Sequence, residues 1–187
     1  MCPAPVEFFE QWSSKARTRS GQWIRIRPLR ADDRQREIDF INSLSETSRY
    51  MRLWTPLKFL PPHLLDQLMD IDYADRMALV ATMENGGAER IVGIARYGVT
   101  DTADTAELGI TVTDAWQGRG VARLLVIELV RFARWRNLRR FTGIVLPENQ
   151  PMLALARSLG FTVSFDPVEH LMRISLRLEE GNLRETA

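Results

Sequence analysis

The residues best suited to chemistry in this 187-residue chain lie in one stretch, Gln117-Gly118-Arg119-Gly120-Val121-Ala122. The preceding residues, Ala106 to Thr113, alternate as a strand. The following ones form an amphipathic helix, with Val121, Leu124, Leu125, Leu129, Phe132 and Ala133 on one face and Arg123, Arg131 and Arg134 off it. A glycine turn that opens a helix presents free N–H groups and the positive end of the helix dipole. Glycines also let a ligand approach the backbone with no Cβ in the way. Such an arrangement predicts phosphate binding; the alternative is an ordinary glycine-rich helix start. Two phosphate motifs are excluded. A dinucleotide-binding GxGxxG beginning at Gly118 needs a third glycine where Arg123 stands, and an acidic residue near Leu138-Arg139-Arg140. A P-loop needs Gly-Lys-Ser/Thr, which does not occur.

Other reactive side chains are scattered. On the strand before the turn, alternation puts Glu107, Gly109 and Thr111 on one face and Leu108, Ile110 and Val112 on the other. A glycine inside a strand signals a bulge or a close approach of another group. His63 and His170 are isolated, and neither a Ser/His/Asp set nor a metal-ligand spacing occurs. No metal site is expected. Cys2, the single cysteine, rules out an intramolecular disulfide and a thiolate cluster, and on a terminal extension it is a poor nucleophile.

Composition narrows the classes further. Twenty-five basic against 24 acidic residues give a net charge of +1, which disfavours a nucleic-acid binder. The run Arg134, Arg136, Arg139, Arg140 reads as a solvated helix end, with contact to a ligand phosphate as the alternative. Apolar runs such as Leu124 to Ile127 are far shorter than the ~20 residues of a membrane span, so no membrane partner is expected. Glu7 and Glu10 argue against a secretory leader, and a cytoplasmic location is the expectation.

Around the turn, the pattern predicts a single α/β (α+β) domain over 21–180, with an N-terminal extension 1–20 and a tail 181–187. In the extension, Phe8, Phe9, Trp12 and Ala16 share a helical face, laid on the domain or against a partner such as a second copy in a homodimer. Strands are expected at Trp23–Arg27, Met77–Met83, Arg90–Val99, Ala106–Thr113, Phe141–Leu146, Phe161–Phe165 and Leu171–Leu178, with helices after Asp33, from His63 to about Asp70, after Gly120 and from Asn149 to Leu159. The result is a mixed, mostly antiparallel sheet of about seven strands with helices on both faces and one β-α-β crossover.

The segment Gln117 to Ala122 resembles the acyl-CoA pyrophosphate loop, Q/R-x-x-G-x-G/A, of the GNAT N-acetyltransferase superfamily. Asn149 with Met152 and Leu153, then Ser158-Leu159-Gly160-Phe161, resembles that family's N…LGF segment. Upstream, Ser45 to Arg52 and Ile71 to Val80 are similar to the GNAT domain of bacterial Pat-type protein lysine acetyltransferases. This resemblance implies an acetyl-CoA-dependent N-acetyltransferase with acetyl-CoA as cosubstrate. Ile110, Thr111 and Val112 would lie along the pantetheine arm, Gln117, Gly118, Arg119, Gly120, Val121 and Ala122 would hold the pyrophosphate, and Asn149 would also contact the cofactor. The acceptor would be a protein lysine, with a small amine or a non-catalytic acyl-CoA sensor as the alternatives.

Acetyl transfer needs a neutral amine, and a free lysine amine with pKa ~10.4 is almost wholly protonated at neutral pH. Glu107 is the candidate general base, because the resemblance puts a base at a matching place on this strand; a solvated strand-end carboxylate is the alternative. Many relatives carry a Tyr as general acid where Ala156 stands. That leaves water, Tyr97 or Tyr50 for the role.

Overall fold

The computed structural model describes residues 6–54, 60–102, 104–179 and 181–184. Cys2 and residues 185–187 lie outside them. Eight strands form one sheet in the order β1-β2-β3-β4-β5-β6-β8-β7. They are β1 (Ser14–Arg17), β2 (Trp23–Pro28), β3 (Arg76–Asn85), β4 (Ala88–Val99), β5 (Thr105–Val112), β6 (Arg140–Val145), β7 (Thr162–Asp166) and β8 (Leu171–Arg177). Every neighbouring pair is antiparallel except β5 and β6, which the helix α5 (Val121–Trp135) connects.

One face of the sheet carries α5 and α6 (Gln150–Leu159), the other α2 (Arg34–Ser43) and α4 (Pro62–Met69). Alternation explains the two cores. Leu79 and Ala81 of β3 face Leu125 and Leu129 of α5, whereas Ala78 and Val80 face Phe40 and Ile41 of α2. Of the expected stripe, α5 buries Val121, Leu125, Leu129, Phe132 and Ala133, and Leu124 is partly buried. Gly93 of β4 leaves room for it, since a Cβ there would meet Val121 Cγ1 at 3.0 Å and Leu125 Cδ1 at 3.1 Å.

Two expectations are corrected. The mixed, mostly antiparallel sheet itself is as expected, with eight strands among the described residues against about seven. The additional one is β1, which pairs with β2 from Ser14↔Ile26 to Arg17↔Trp23. The helix carrying Phe8 and Phe9, α1 (Val6–Gln11), therefore ends before Trp12 and Ala16, the latter lying in β1; Trp12 packs edge-on to Phe132 at 4.7 Å. Arg123 does not sit on the wet side of α5. It is buried, donating to Ser158 Oγ and to the Arg184 carbonyl, so it ties the C-terminal segment and α6 to α5.

Asp33, which precedes α2, makes no side-chain capping hydrogen bond to it. It is buried under Arg27, whose Nη1 and Nη2 donate to its two carboxylate oxygens at 2.6 and 2.9 Å. Arg27 also donates to both oxygens of Glu89, at 3.0 and 2.8 Å. Burial alone would lower the Arg27 pKa, but its hydrogen bonds to both carboxylates, with their charges, outweigh it and raise it.

Candidate active site

The site begins where two strands part. β5 pairs with β4 from Val99↔Ala106 to Gly93↔Val112. With β6 it pairs only at Thr105↔Arg140, Ala106↔Phe141 and Glu107↔Thr142, although both strands run on. From Leu108 onward the β6-facing edge of β5 has no sheet partner, and buried backbone groups require one. Thr111 Oγ1 in this stretch is also buried without a hydrogen-bond partner. An extended ligand that carries amide groups fits such an edge.

Two cavities fill the opening. The first, about 630 Å³, runs from the free edge of β5 to the turn before α5 and is closed by α6. Ile110, Thr111 and Val112 line it, as do Gln117, Gly118, Gly120, Val121, Ala122 and Asn149. Gly118 and Gly120 have φ of +72° and +88°, the left-handed region that a side chain disfavours, and a Cβ on Gly118 would meet nothing within 4 Å. Leu124 N–H bonds to the Gly120 carbonyl, and among the described residues the N–H groups of Val121, Ala122 and Arg123 just before it make no backbone hydrogen bond. Open space, paired glycines and a helix N-terminus suit a pyrophosphate.

Arg119 is the predicted cofactor residue that does not line this cavity. Its Nη1 donates to Gln22 Oε1 at 2.6 Å, and its guanidinium lies over the Trp116 ring at 5.3 Å. Arg19 stands in its place on the wall. Its N–H donates to the Arg119 carbonyl at 2.9 Å, and its side chain passes Gly120. The basic run at 134–140 is elsewhere: Arg134 donates to the carbonyls of Leu178 and Glu179, and none of the four arginines lines either cavity.

The second cavity, about 680 Å³, lies beyond the point where β5 and β6 separate. Glu107, exposed on β5, stands in its wall with Gly109. The two cavities share Met51, Arg52, Ile110, Asn149 and Met152, so they meet beside Gly109 and Ile110. Asn149 also caps α6, accepting from Met152 N–H at 3.2 Å.

The helix α3 (Glu46–Leu53) roofs this junction. Asp114 fixes its start by accepting from Ser45 N–H, Ser45 Oγ and Ser48 Oγ at 2.9, 2.7 and 2.8 Å. Burial works against the Asp114 charge, but these hydrogen bonds hold its pKa below the ordinary value. Gln117 Nε2 then donates to Ser48 Oγ and the Val112 carbonyl, both at 3.1 Å, so the glycine turn, β5 and α3 form one unit. From α3, Arg52 reaches over Gly109, where a Cβ would come within 3.0 Å of its Nη2. Gly109 therefore marks a close approach, with no shift of register against β4. Burial, helped by the charge of Arg96, pulls the Arg52 pKa down to about 10 against the pull of Glu37 and Glu107. Glu37 itself is fully buried; desolvation raises its pKa, although Arg96 Nη2 donates to Oε1 at 2.8 Å.

Neither tyrosine takes the general-acid place. Ala156 is packed in the core, Tyr97 donates its hydroxyl to the Ala74 carbonyl at 2.9 Å, and Tyr50 lines neither cavity. His63 and His170 are exposed and lie outside both cavities. Among the described residues no group of His, Cys, Asp or Glu is arranged to hold a metal ion, and no helix is long and apolar enough to cross a membrane.

A strand edge left open beside a glycine turn, with a second cavity beyond it, suits an acyl-CoA-dependent acyltransferase. The profile of the acetyltransferase (GNAT) family matches residues 44–161, and the chain belongs to that family, with acetyl-CoA as its cosubstrate. It is 40% identical over 147 residues to acetyltransferase PA5475 of Pseudomonas aeruginosa, covering 79% of each chain. It is 32% identical over 145 residues to acetyltransferase Pat of Mycolicibacterium smegmatis, covering 76% of this chain and 42% of that one. In structure it is similar to the GNAT domain of S. lividans PAT, with a TM-score of 0.83, 31% identity and coverage of 93% of this chain and 99% of that domain.

Proposed function

We propose that the protein transfers the acetyl group of acetyl-CoA to a primary amine by direct attack, with a protein lysine as the acceptor and Glu107 as the general base. The reading rests on the placement of Glu107 in the wall of the acceptor cavity, two residues before Gly109, where that cavity joins the cofactor groove. An amine entering from the acceptor side reaches the junction past this carboxylate. Loss of its proton to Glu107, directly or through water, frees the nitrogen lone pair for the thioester carbonyl. The resemblance of Ser45 to Arg52 and Ile71 to Val80 to Pat-type protein lysine acetyltransferases supports a protein acceptor.

The charges of the acceptor cavity also weigh against a polyamine or aminoglycoside. Arg52, Arg76 and Arg96 face Asp70 and Glu107, so the wall is not acidic. Incubating the protein with labelled acetyl-CoA and a cell extract should label discrete proteins. Brisk turnover of small amines with no labelled protein would transfer the assignment to a small-amine acetyltransferase.

A further inference from the structure

Acetyl transfer expels coenzyme A as a thiolate whatever the acceptor, and the group that meets this charge is unassigned: Ala156 is in the core and the Tyr97 hydroxyl is committed to Ala74. At the junction of the two cavities stands one cation. Arg52 lines both, and its guanidinium lies across Gly109 at the acyl end of the free β5 edge. The other arginines of the acceptor cavity are committed. Arg76 pairs with Asp70 and Asp72 at 3.4 and 3.1 Å, and Arg96 with Glu37 and the Leu68 carbonyl. Among the described residues Arg52 has electrostatic partners in Glu37 and Glu107 but no side-chain hydrogen bond.

We propose that Arg52 is a catalytic residue that donates to the coenzyme A sulfur and stabilises the departing thiolate. As the amine nitrogen bonds to the carbonyl carbon, the carbon–sulfur bond breaks and its electron pair passes to sulfur, to which the guanidinium N–H groups donate; the second proton of the nitrogen, shed as the amide forms, leaves to water. Arg52 keeps its proton throughout, and the thiolate takes one from water after release. A preorganised cation in a partly dry site costs no reorganisation when the charge appears. The electrostatics fit the proton transfer proposed above. Once Glu107 has taken the amine proton it is neutral, so the new charge on sulfur faces Arg52 with no carboxylate opposing it. A guanidinium with pKa about 10 is still charged at neutral pH. The role of Arg52 toward sulfur rests on the proposed use of acetyl-CoA and stands for any acceptor, whereas the neutral Glu107 facing it rests on the proposed general base.

The test is the ionisation of the thiol of bound coenzyme A, followed by the ultraviolet absorbance of the thiolate, with the desulfo-coenzyme A complex as baseline. Wild type should ionise the bound thiol at lower pH than free coenzyme A. Arg52→Met and Arg52→Gln should lose that depression, and should lower kcat by about 10²-fold, with KM for acetyl-CoA little changed. Either variant decides the comparison if the other fails to fold. A bound thiol in wild type that ionises at or above the pH of free coenzyme A overturns the proposal, as does an unchanged depression in a folded variant.

Discussion

The Arg52 guanidinium rests on Gly109, with Nη2 at 3.0 Å and Cζ at 3.2 Å from the point where a β-carbon would stand. A helix of the upper layer thereby delivers a cation onto the bare backbone of the strand that bounds the cofactor groove. The strand can accept it there only because residue 109 has no side chain.

Gly109→Ala puts this contact to use. Its backbone is not in the left-handed region, so alanine fits the strand itself, and the group that must yield is the far end of a flexible side chain. The expected result is a melting temperature within about 2–4 °C of wild type, which corresponds to ~1 kcal/mol for a chain of this size. Activity should nevertheless fall about 10–10²-fold, as displacement of a positioned group does. Paired melting and steady-state rate measurements separate the two effects.

Cofactor binding should register in stability. Acetyl-CoA at 100 times its Kd adds about 2.7 kcal/mol, which raises the melting temperature by about 5–11 °C. Gly120→Val should abolish the rise. Its φ of +88° is strained for a β-branched residue, and the added methyls would stand between Arg19 and the helix start. A thermal melt of both proteins with and without acetyl-CoA reads this directly.

The buried ion cluster is a stability element with a defined pH signature. Arg27→Met leaves Asp33 and Glu89 without their guanidinium, at a cost of about 3–5 kcal/mol, seen as a melting temperature lower by about 6–20 °C. The hydrogen bond from Arg27 is the main reason that the Glu89 pKa is lowered from 4.5 to about 2. A depressed carboxylate pKa adds stability that is complete above the unfolded value and disappears as pH falls through the folded one. Wild type should therefore lose stability between about pH 4.5 and 2, and the variant should lose less over that window. Denaturant titrations across the acid range check the slope.

The glycine turn was legible in the sequence because the hydrophobic period changes from two to 3.6 across it, and because Gly118 and Gly120 stand at the change. β4, β5 and the long helix α5 follow from the same local signals. β1 was not legible: it has four residues, and only its pairing with β2 gives it an edge to hold. Arg19 and Arg52 carried no local mark. Each reaches the site through a distant backbone contact, Arg19 against Arg119 and Arg52 across Gly109. The close approach at Gly109 could be read from a glycine within a strand, but the identity of the approaching group depended on α3, which Asp114 holds in place from the far side of the chain. The burial of Arg123 was hidden likewise, since its acceptor is the Arg184 carbonyl.

Glu107→Gln bears most directly on the proposed reaction. Glutamine keeps the size and the hydrogen-bonding capacity of the side chain but cannot take the proton from an incoming amine. The account predicts that kcat/KM at pH 7 falls by about 10²–10⁴-fold, that acetyl-CoA affinity is unchanged, and that the variant recovers activity as pH rises toward the ~10.4 of a free lysine amine. Wild-type kcat/KM in the variant at pH 7 would contradict it.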